Sequence, residues 1–277
     1  MSNSQKVEIV EGKENRTQSP LCRQCHAKVN VNVKEDTTGF EKALQKYYPK
    51  AILINDFVFK TKQALLSEGF YPQVNTMACV GLCRDEITSP FKVAIETIYG
   101  SAFSCGALGG LLLCGKTGFS AAHHHVPEKK ACLVYFCFTH TAINEKGEIG
   151  QVLRNKTGMT QESTACGALM AFTNELKKGI KEPIQIDEND VEMTMLKKRL
   201  MASSSKVTPT LFDVTNAAYK IITNDLEHHS LEDSKHHPTR QYALFSGVQI
   251  HGPDGHDYVW LGKSSLIRDG KTQSFAL

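Results

Sequence analysis

Three residues of the sequence have side chains that together could bind a metal ion: Cys83, His140 and Cys166. Two thiolates and one imidazole form a catalytic zinc site when the fourth position is left for water. The long gaps between them match no short metal-binding motif, so on spacing alone three unrelated core or polar residues are an equal alternative. Their expected positions favour a shared site, because each lies at the end of a predicted strand or the start of a predicted helix.

The elements that must position these residues alternate as strand, helix, strand, helix. Residues 76–83 and 131–138 are short apolar runs, which predict buried parallel strands that lead to Cys83 and His140. A helix is predicted from Pro90 to Tyr99 between them, and residues 162–172 read as the opening of another helix that contains Cys166. This order predicts an α/β fold in which ligands bind beyond the carboxyl ends of the strands.

The rest of the chain reads as an arm, a helical lead-in and a hairpin. Residues 1–20 are polar and lack an apolar period, which predicts a disordered arm. Residues 21–70 are interpreted as a helical lead-in on the main domain, residues 71–277, because apolar residues recur there at steps of three and four. Residues 241–250 and 257–261, separated by a loop, predict a C-terminal β-hairpin.

Composition excludes several partners. The chain carries 32 basic and 29 acidic residues without a long Lys/Arg run, so nucleic acid is not an expected partner. No apolar stretch approaches the ~20 residues of a membrane span, which predicts a soluble protein. Its nine cysteines lack the spacing of a secreted scaffold and predict reduced thiols. We therefore expect an intracellular location, either cytoplasmic or in an organelle such as a plastid if a transit peptide was removed.

Several motifs carry a resemblance to a known family. Cys83-Arg84-Asp85 resembles the Cys-x-Asp that opens the β-carbonic anhydrase site. His140 and the later Cys166-Gly167-Ala168 resemble that family's His-x-x-Cys-Gly element, here split by residues 141–165. From about Lys42 to near the C-terminus the chain is similar to the limiting-CO2-inducible protein B family of algae, which is related to the theta-class carbonic anhydrases. That similarity also includes Glu86, Gly115 to Phe119, His125 to Pro127, Ser163 to Ala168 and Asp257 to Trp260.

The resemblance implies a fold, an assembly and a site. The fold would be β-carbonic-anhydrase-like, a mixed sheet with mainly parallel core strands flanked by helices. The assembly would be a homodimer with its active sites near the subunit interface. Cys83, His140 and Cys166 would hold Zn2+, and Asp85 would be the catalytic carboxylate beside it. The β-type pattern has an arginine two residues after the aspartate, where this chain has Ile87, so we expect Arg84 instead to hold Asp85 off the metal in an ion pair. This pair requires the chain to turn sharply after Cys83.

The implied activity is that of a carbonic anhydrase, a zinc lyase that hydrates CO2 reversibly to bicarbonate by zinc-bound hydroxide. Metal ligands alone do not ensure turnover. The alternative is therefore a catalytically silent zinc-binding homologue that acts as a scaffold or as a CO2/bicarbonate-binding partner protein in inorganic-carbon handling.

A phosphate loop is the main competing motif. Residues 110–117 fit G-x-x-x-x-G-K-[ST] letter for letter, which would indicate a nucleotide hydrolase. Apolar residues fill what should be a solvated cradle, and Pro127 leaves little room for the helix that should follow. We interpret residues 106–118 instead as a packed glycine-rich segment that lines a small substrate cavity.

Two other motifs stay open. The run from His123 to His125 could lie near the mouth of the site, as ligands or proton shuttles, or at the surface. Cys22, Cys25 and His26 match the C-x-x-C-H of c-type haem attachment. No partner ligand for a haem is indicated, so a surface thiol pair is the favoured interpretation of that motif.

Overall fold

The computed structural model describes residues 38–126, 131–154, 158–180, 183–203, 209–253 and 255–277. The described residues all belong to one compact unit, residues 37–277. The predicted arm, residues 1–20, and the C-x-x-C-H motif of Cys22, Cys25 and His26 lie outside the described residues, so both stay predictions.

Seven helices and nine strands are assigned within the described residues. The helices are α1 (Gly39–Tyr47), α2 (Ile54–Leu66), α3 (Ser89–Tyr99), α4 (Gly115–His123), α5 (Gly167–Lys178), α6 (Val191–Ser203) and α7 (Leu211–His236). The strands are β1 (Ile52–Leu53), β2 (Thr76–Gly81), β3 (Ala102–Ser104), β4 (Cys132–Ala142), β5 (Gln151–Leu153), β6 (Glu162–Thr164), β7 (Gln241–His251), β8 (Asp257–Arg268) and β9 (Lys271–Ser274).

A mixed sheet of seven strands forms the centre of the fold. Its order is β1-β8-β7-β4-β2-β3, and β9 also pairs with β8. The neighbours β3, β2, β4 and β7 run parallel, whereas β8 pairs antiparallel with β1, β7 and β9. The predicted α/β fold with mainly parallel core strands and a C-terminal hairpin is therefore confirmed.

Strand β4 is buried on both faces, which explains its continuous apolar sequence. Leu133, Tyr135 and Cys137 belong to a core cluster with side chains of α4, α5, α6 and α7. Val134 and Phe136 point the other way, into a cluster with side chains of α2 and α3. The alternation of a pleated strand thus connects two helical layers, and each fully buried aliphatic or aromatic side chain contributes about 1.5–3 kcal/mol.

One predicted element is wrong. Residues 162–172 were expected to open a helix, but Glu162–Thr164 is strand β6 and pairs antiparallel with Gln151–Leu153. Helix α5 begins only at Gly167, with Cys166 as its N-cap residue. The Ser and Thr of this segment are typical of helix N-caps, and sequence periodicity gave no sign of the pairing with β5.

The C-terminal hairpin packs on the first helix. The Tyr258 ring lies 5.4 Å from that of Phe40, and the Trp260 ring lies 6.0 Å from that of Tyr48. These aromatic contacts fix α1 against the antiparallel side of the sheet. No helix of the described residues is long and apolar enough to cross a membrane.

Near the candidate site, Gly110 has no space for a side chain. A Cβ at Gly110 would lie 2.4 Å from the carbonyl oxygen of Phe138 on β4, and the residue has φ +81°. Gly69 has nearly the same φ, +83°, but open space around it. We expect Gly69→Ala to cost about 1–2 kcal/mol from backbone strain alone, and Gly110→Ala a further ~1–3 kcal/mol from the clash. Urea denaturation measures both, and equal losses would contradict this packing.

Candidate metal centre

The structure brings Cys83, His140 and Cys166 together. One donor atom from each lies within 4.8 Å of the others, and the two sulfur atoms are 3.6 Å apart. All three residues are buried, with His140 completely inaccessible to solvent. No other group of three or more His, Cys, Asp or Glu donors in the described part of the chain is this compact. The expected ligand set therefore converges, although it comes from three distant segments.

Each ligand is fixed by a different element. Cys83 lies two residues beyond the end of β2, His140 near the carboxyl end of β4, and Cys166 at the N-cap of α5. Strands β2 and β4 are parallel neighbours, so their carboxyl ends lie at one edge of the sheet. The packed backbone of these elements holds the donor atoms in place.

Hydrogen bonds favour a thiolate at Cys83. The Cys166 thiol lies within hydrogen-bonding distance of the Cys83 sulfur, and the Gly109 N–H donates to that same sulfur at 3.2 Å. The contact with Cys166 is the main cause that lowers the pKa of Cys83 and, because the two groups share a proton, raises the pKa of Cys166. A divalent cation bound by both sulfurs would displace that proton.

His140 presents one bare nitrogen to the thiols. Its Nε2 is buried without a hydrogen-bond partner, whereas its Nδ1 lies 3.0 Å from Nε2 of His251. A buried polar atom without a partner is costly, and a metal ion would satisfy it. Soft thiolates with one imidazole are a donor set that zinc prefers. The residues present therefore fit a zinc ion by chemistry and by geometry.

Asp85 lies beside the three ligands, but Arg154 is its ion-pair partner. The guanidinium binds the carboxylate with two bonds, Nη1 to Oδ1 at 2.7 Å and Nη2 to Oδ2 at 2.9 Å. Burial raises the pKa of Asp85, but the hydrogen bonds and charge of Arg154, together with the other groups around the carboxylate, outweigh burial and hold the pKa below its usual range. Oδ2 stays 4.0 Å from Nε2 of His140, so the carboxylate faces the centre while it is held by the arginine.

The expected pair of Arg84 with Asp85 is not formed. Arg84 has a side chain that is 63% exposed, and it binds Glu192 of α6 at 2.6 Å. After β2 ends, consecutive residues point in different directions, so Asp85 turns inward and Arg84 turns outward. The structure thus corrects the sequence interpretation: the arginine beside the catalytic candidate is Arg154.

Arg154 comes from the segment that separates His140 from Cys166. It follows β5 directly, and its Nε donates to Ser163 Oγ on β6 at 2.8 Å while its Nη2 donates to the Thr164 carbonyl oxygen at 3.1 Å. It also contacts Glu86. Within the segment between His140 and Cys166, strands β5 and β6 pair antiparallel, and Arg154 follows the first of them. No spacing rule links Arg154 to Asp85, which explains why the sequence interpretation missed it.

A histidine and a carboxylate behind His140 were also missed. His251, at the end of β7, lies between His140 and Asp257, and its Nδ1 is 2.7 Å from Asp257 Oδ1. Burial lowers the pKa of His251, against the opposing effect of Asp257. Both residues stood in segments assigned to the hairpin, and only the pairing of β4 with β7 brings them to the ligand.

The other candidates lie away from the three ligands. His123 is buried against Tyr135 and Asp233, and His124 contacts the Ser120 carbonyl oxygen. Neither belongs to the compact donor group. Within residues 110–117, a helix does begin at Gly115, so the expectation that none would fit was wrong. The segment before it is a short 3-10 turn packed against Cys83, which leaves its glycine-rich backbone close to the candidate site.

Two cavities flank the centre. One of about 250 Å³ is lined by Ile87, Val152, Arg154, His251 and Asp257 among others. The second, of about 280 Å³, is lined by Cys83 and Asp85 among others. A third cavity, of about 390 Å³ between α5, α6 and α7, is lined by none of these residues. A ligand could reach the site from the first two of these cavities.

Comparisons with known proteins identify the family of the chain and agree with its fold. Residues 51–268 match the family model described as limiting CO2-inducible proteins B/C beta carbonic anhydrases. The crystal structure of limiting CO2-inducible protein LCIB is 32% identical, with a TM-score of 0.67 over 84% of this chain and 97% of that chain. The crystal structure of its homologue PtLCIB4 is 21% identical, with a TM-score of 0.72 over 85% and 99%. Among curated proteins no sequence matches.

Proposed function

The chain belongs to the limiting CO2-inducible protein B/C β-carbonic anhydrase family, and from this membership and its Cys-His-Cys cluster we propose that it is a zinc-dependent carbonic anhydrase. The proposed reaction is the reversible hydration of CO2 to bicarbonate. The observation that carries it is the bare Nε2 of His140 facing two cysteine sulfurs, with the Asp85 carboxylate beside them. Zinc held there would supply Lewis acidity, which makes water a better nucleophile at neutral pH.

The chain's own residues have distinct tasks in this reaction. Cys83, His140 and Cys166 would hold the metal, and their burial excludes competing solvent ligands. Asp85 would accept a hydrogen bond from the reacting water and so orient it toward CO2. Arg154 keeps this carboxylate ionised and off the metal, because the guanidinium donates to both of its oxygens, and Oδ2 retains a lone pair for the reacting water. Ile87 and Val152 give the adjacent cavity an apolar side suited to CO2.

One observation favours a second candidate, a silent zinc-binding homologue that acts as a scaffold or CO2/bicarbonate-binding protein. His140 and Cys166 are at most 1% exposed, and neither lines the two cavities beside the centre. A metal in such a closed pocket would support the fold without meeting substrate. The two candidates share the metal site and differ only in turnover.

The cysteine ligands can be tested by metal analysis. We expect purified wild-type protein to carry about one zinc per chain under reducing conditions, because two thiolates and an imidazole bind zinc tightly. Cys166→Ser should lose most of this zinc. Cys79→Ser is the matched control, since Cys79 is also fully buried but lies outside the donor group. Unchanged zinc in the Cys166 variant would move the metal site elsewhere.

We also propose a homodimer in a reducing compartment, either the cytoplasm or a plastid. The family resemblance supports the dimer, and the free state of the seven described cysteines supports the compartment. The hairpin residues Tyr258 and Trp260 pack on α1 of their own chain.

A further inference from the structure

His140, His251 and Asp257 form a continuous hydrogen-bonded chain. His140 Nδ1 lies 3.0 Å from His251 Nε2, and His251 Nδ1 lies 2.7 Å from Asp257 Oδ1. The second carboxylate oxygen of Asp257 accepts a bond from Gln249 Nε2 at 3.2 Å. His140 and His251 are both almost completely buried, so water does not compete for these bonds.

The sheet builds this chain from three adjacent strands. His140 is on β4, His251 at the end of β7, and Asp257 at the start of β8. In the register, His251 is paired directly with Asp257 across β7 and β8, and with Ala142 across β4 and β7. Backbone pairing therefore fixes the positions of the three side chains before any ligand is bound.

The chemistry of the groups determines where the protons lie. A carboxylate only accepts hydrogen bonds, so His251 must carry its proton on Nδ1. With that one proton on Nδ1, the imidazole of His251 turns the lone pair of its Nε2 toward His140 Nδ1, 3.0 Å away. His140 then donates from Nδ1, and its Nε2 keeps a free lone pair. This is the nitrogen that faces Cys83 and Cys166 without a partner.

We propose that His251 and Asp257 are positioning residues that hold His140 in the Nδ1-protonated tautomer, with Nε2 ready to bind the metal. The inference rests on the proposed metal site, and assigns to two residues outside it the task of selecting the tautomer and ring orientation of the ligand. Without them, the His140 ring could carry its proton on Nε2 or rotate. Binding of the metal to Nε2 would then first require the proton to move to Nδ1 or the ring to turn back. Such supporting partners typically change metal affinity by about 10–100-fold.

Two replacements of His251 separate positioning from packing. His251→Leu removes the acceptor, whereas the side-chain oxygen of His251→Gln can still accept the proton of His140 Nδ1. His123→Leu is the matched control, because His123 is equally buried and its Nδ1 lies 3.0 Å from the carboxylate of Asp233, away from the three ligands. Zinc dissociation constants from competition with a chelator are measured for wild type and all three variants.

We expect His251→Leu to weaken zinc binding about 10–100-fold, with His251→Gln recovering most of the affinity and His123→Leu retaining it. Equal affinity in His251→Leu and wild type overturns the inference. Equal losses in the Leu and Gln variants also overturn it, because a purely steric role predicts that result. A wild-type protein that binds no zinc would instead contradict the proposed function.

A second measurement decides the tautomer without any metal. Long-range ¹H–¹⁵N correlation spectra of the zinc-free protein with labelled histidine distinguish Nδ1–H from Nε2–H imidazoles. We expect both His140 and His251 to carry the proton on Nδ1, and His140 to lose this preference in His251→Leu. An Nε2–H tautomer of His140 in the wild-type protein overturns the inference whether or not zinc binds.

Discussion

Asp85→Ala is expected to abolish CO2 hydration while the protein keeps its zinc. In the proposed site, Cys83, His140 and Cys166 would hold the metal without Asp85, whose carboxylate lies 4.0 Å from His140 Nε2. Removing the carboxylate leaves the ligands intact but takes away the group that orients the reacting water. Loss of one such preorganised group typically costs a factor of about 10²–10³ in rate.

The test of Asp85 needs the hydration rate and the zinc content of the same sample. Asp56→Ala serves as a matched control, because Asp56 is an exposed aspartate in the first turn of α2. Loss of both zinc and activity in Asp85→Ala would indicate that the carboxylate supports metal binding. Wild-type hydration by a zinc-loaded Asp85→Ala protein would falsify the catalytic assignment.

Arg154→Ala should reduce hydration by about 10–100-fold, whereas Arg84→Ala should leave it close to the wild-type rate. Arg154 occupies both carboxylate oxygens of Asp85, and breaking such a partly buried pair leaves the carboxylate free to move onto the metal. Arg84 binds only Glu192 at the surface, and an exposed ion pair contributes about 0–1 kcal/mol to stability.

The two arginine variants control for each other. Each removes one guanidinium from an ion pair near Asp85: Arg84 is the preceding residue, and Arg154 contacts the carboxylate itself. Steady-state hydration rates and urea denaturation of both variants separate a catalytic loss from a folding defect. A larger loss of activity in Arg84→Ala than in Arg154→Ala would restore the role that the sequence suggested for Arg84.

The convergence of Cys83, His140 and Cys166 was predictable because strand ends are readable from the sequence. The apolar runs before Cys83 and His140 predicted neighbouring parallel strands, and such strands end at the same edge of a sheet. Resemblance to a known family then identified which cysteine completes the set. The burial of β4 on both faces follows from the same apolar run.

The groups that support the ligands were not predictable in the same way. Arg154 reaches Asp85 because β5 and β6 pair, and the residues of β6 are predicted from the sequence to open a helix. His251 reaches His140 through the register of β7 on β4, which depends on long-range pairing. Local periodicity reports which face of an element is apolar, but contains no information about which distant polar side chains meet.

The most direct measurement of the proposed activity is stopped-flow CO2 hydration at mildly alkaline pH, made on purified protein whose zinc content is determined in the same sample. We expect hydration well above the uncatalysed rate, its loss when a chelator removes the zinc, and its return when zinc is added back. Protein with about one zinc per chain and no hydration above the uncatalysed rate would contradict the carbonic anhydrase proposal and favour the silent zinc-binding homologue.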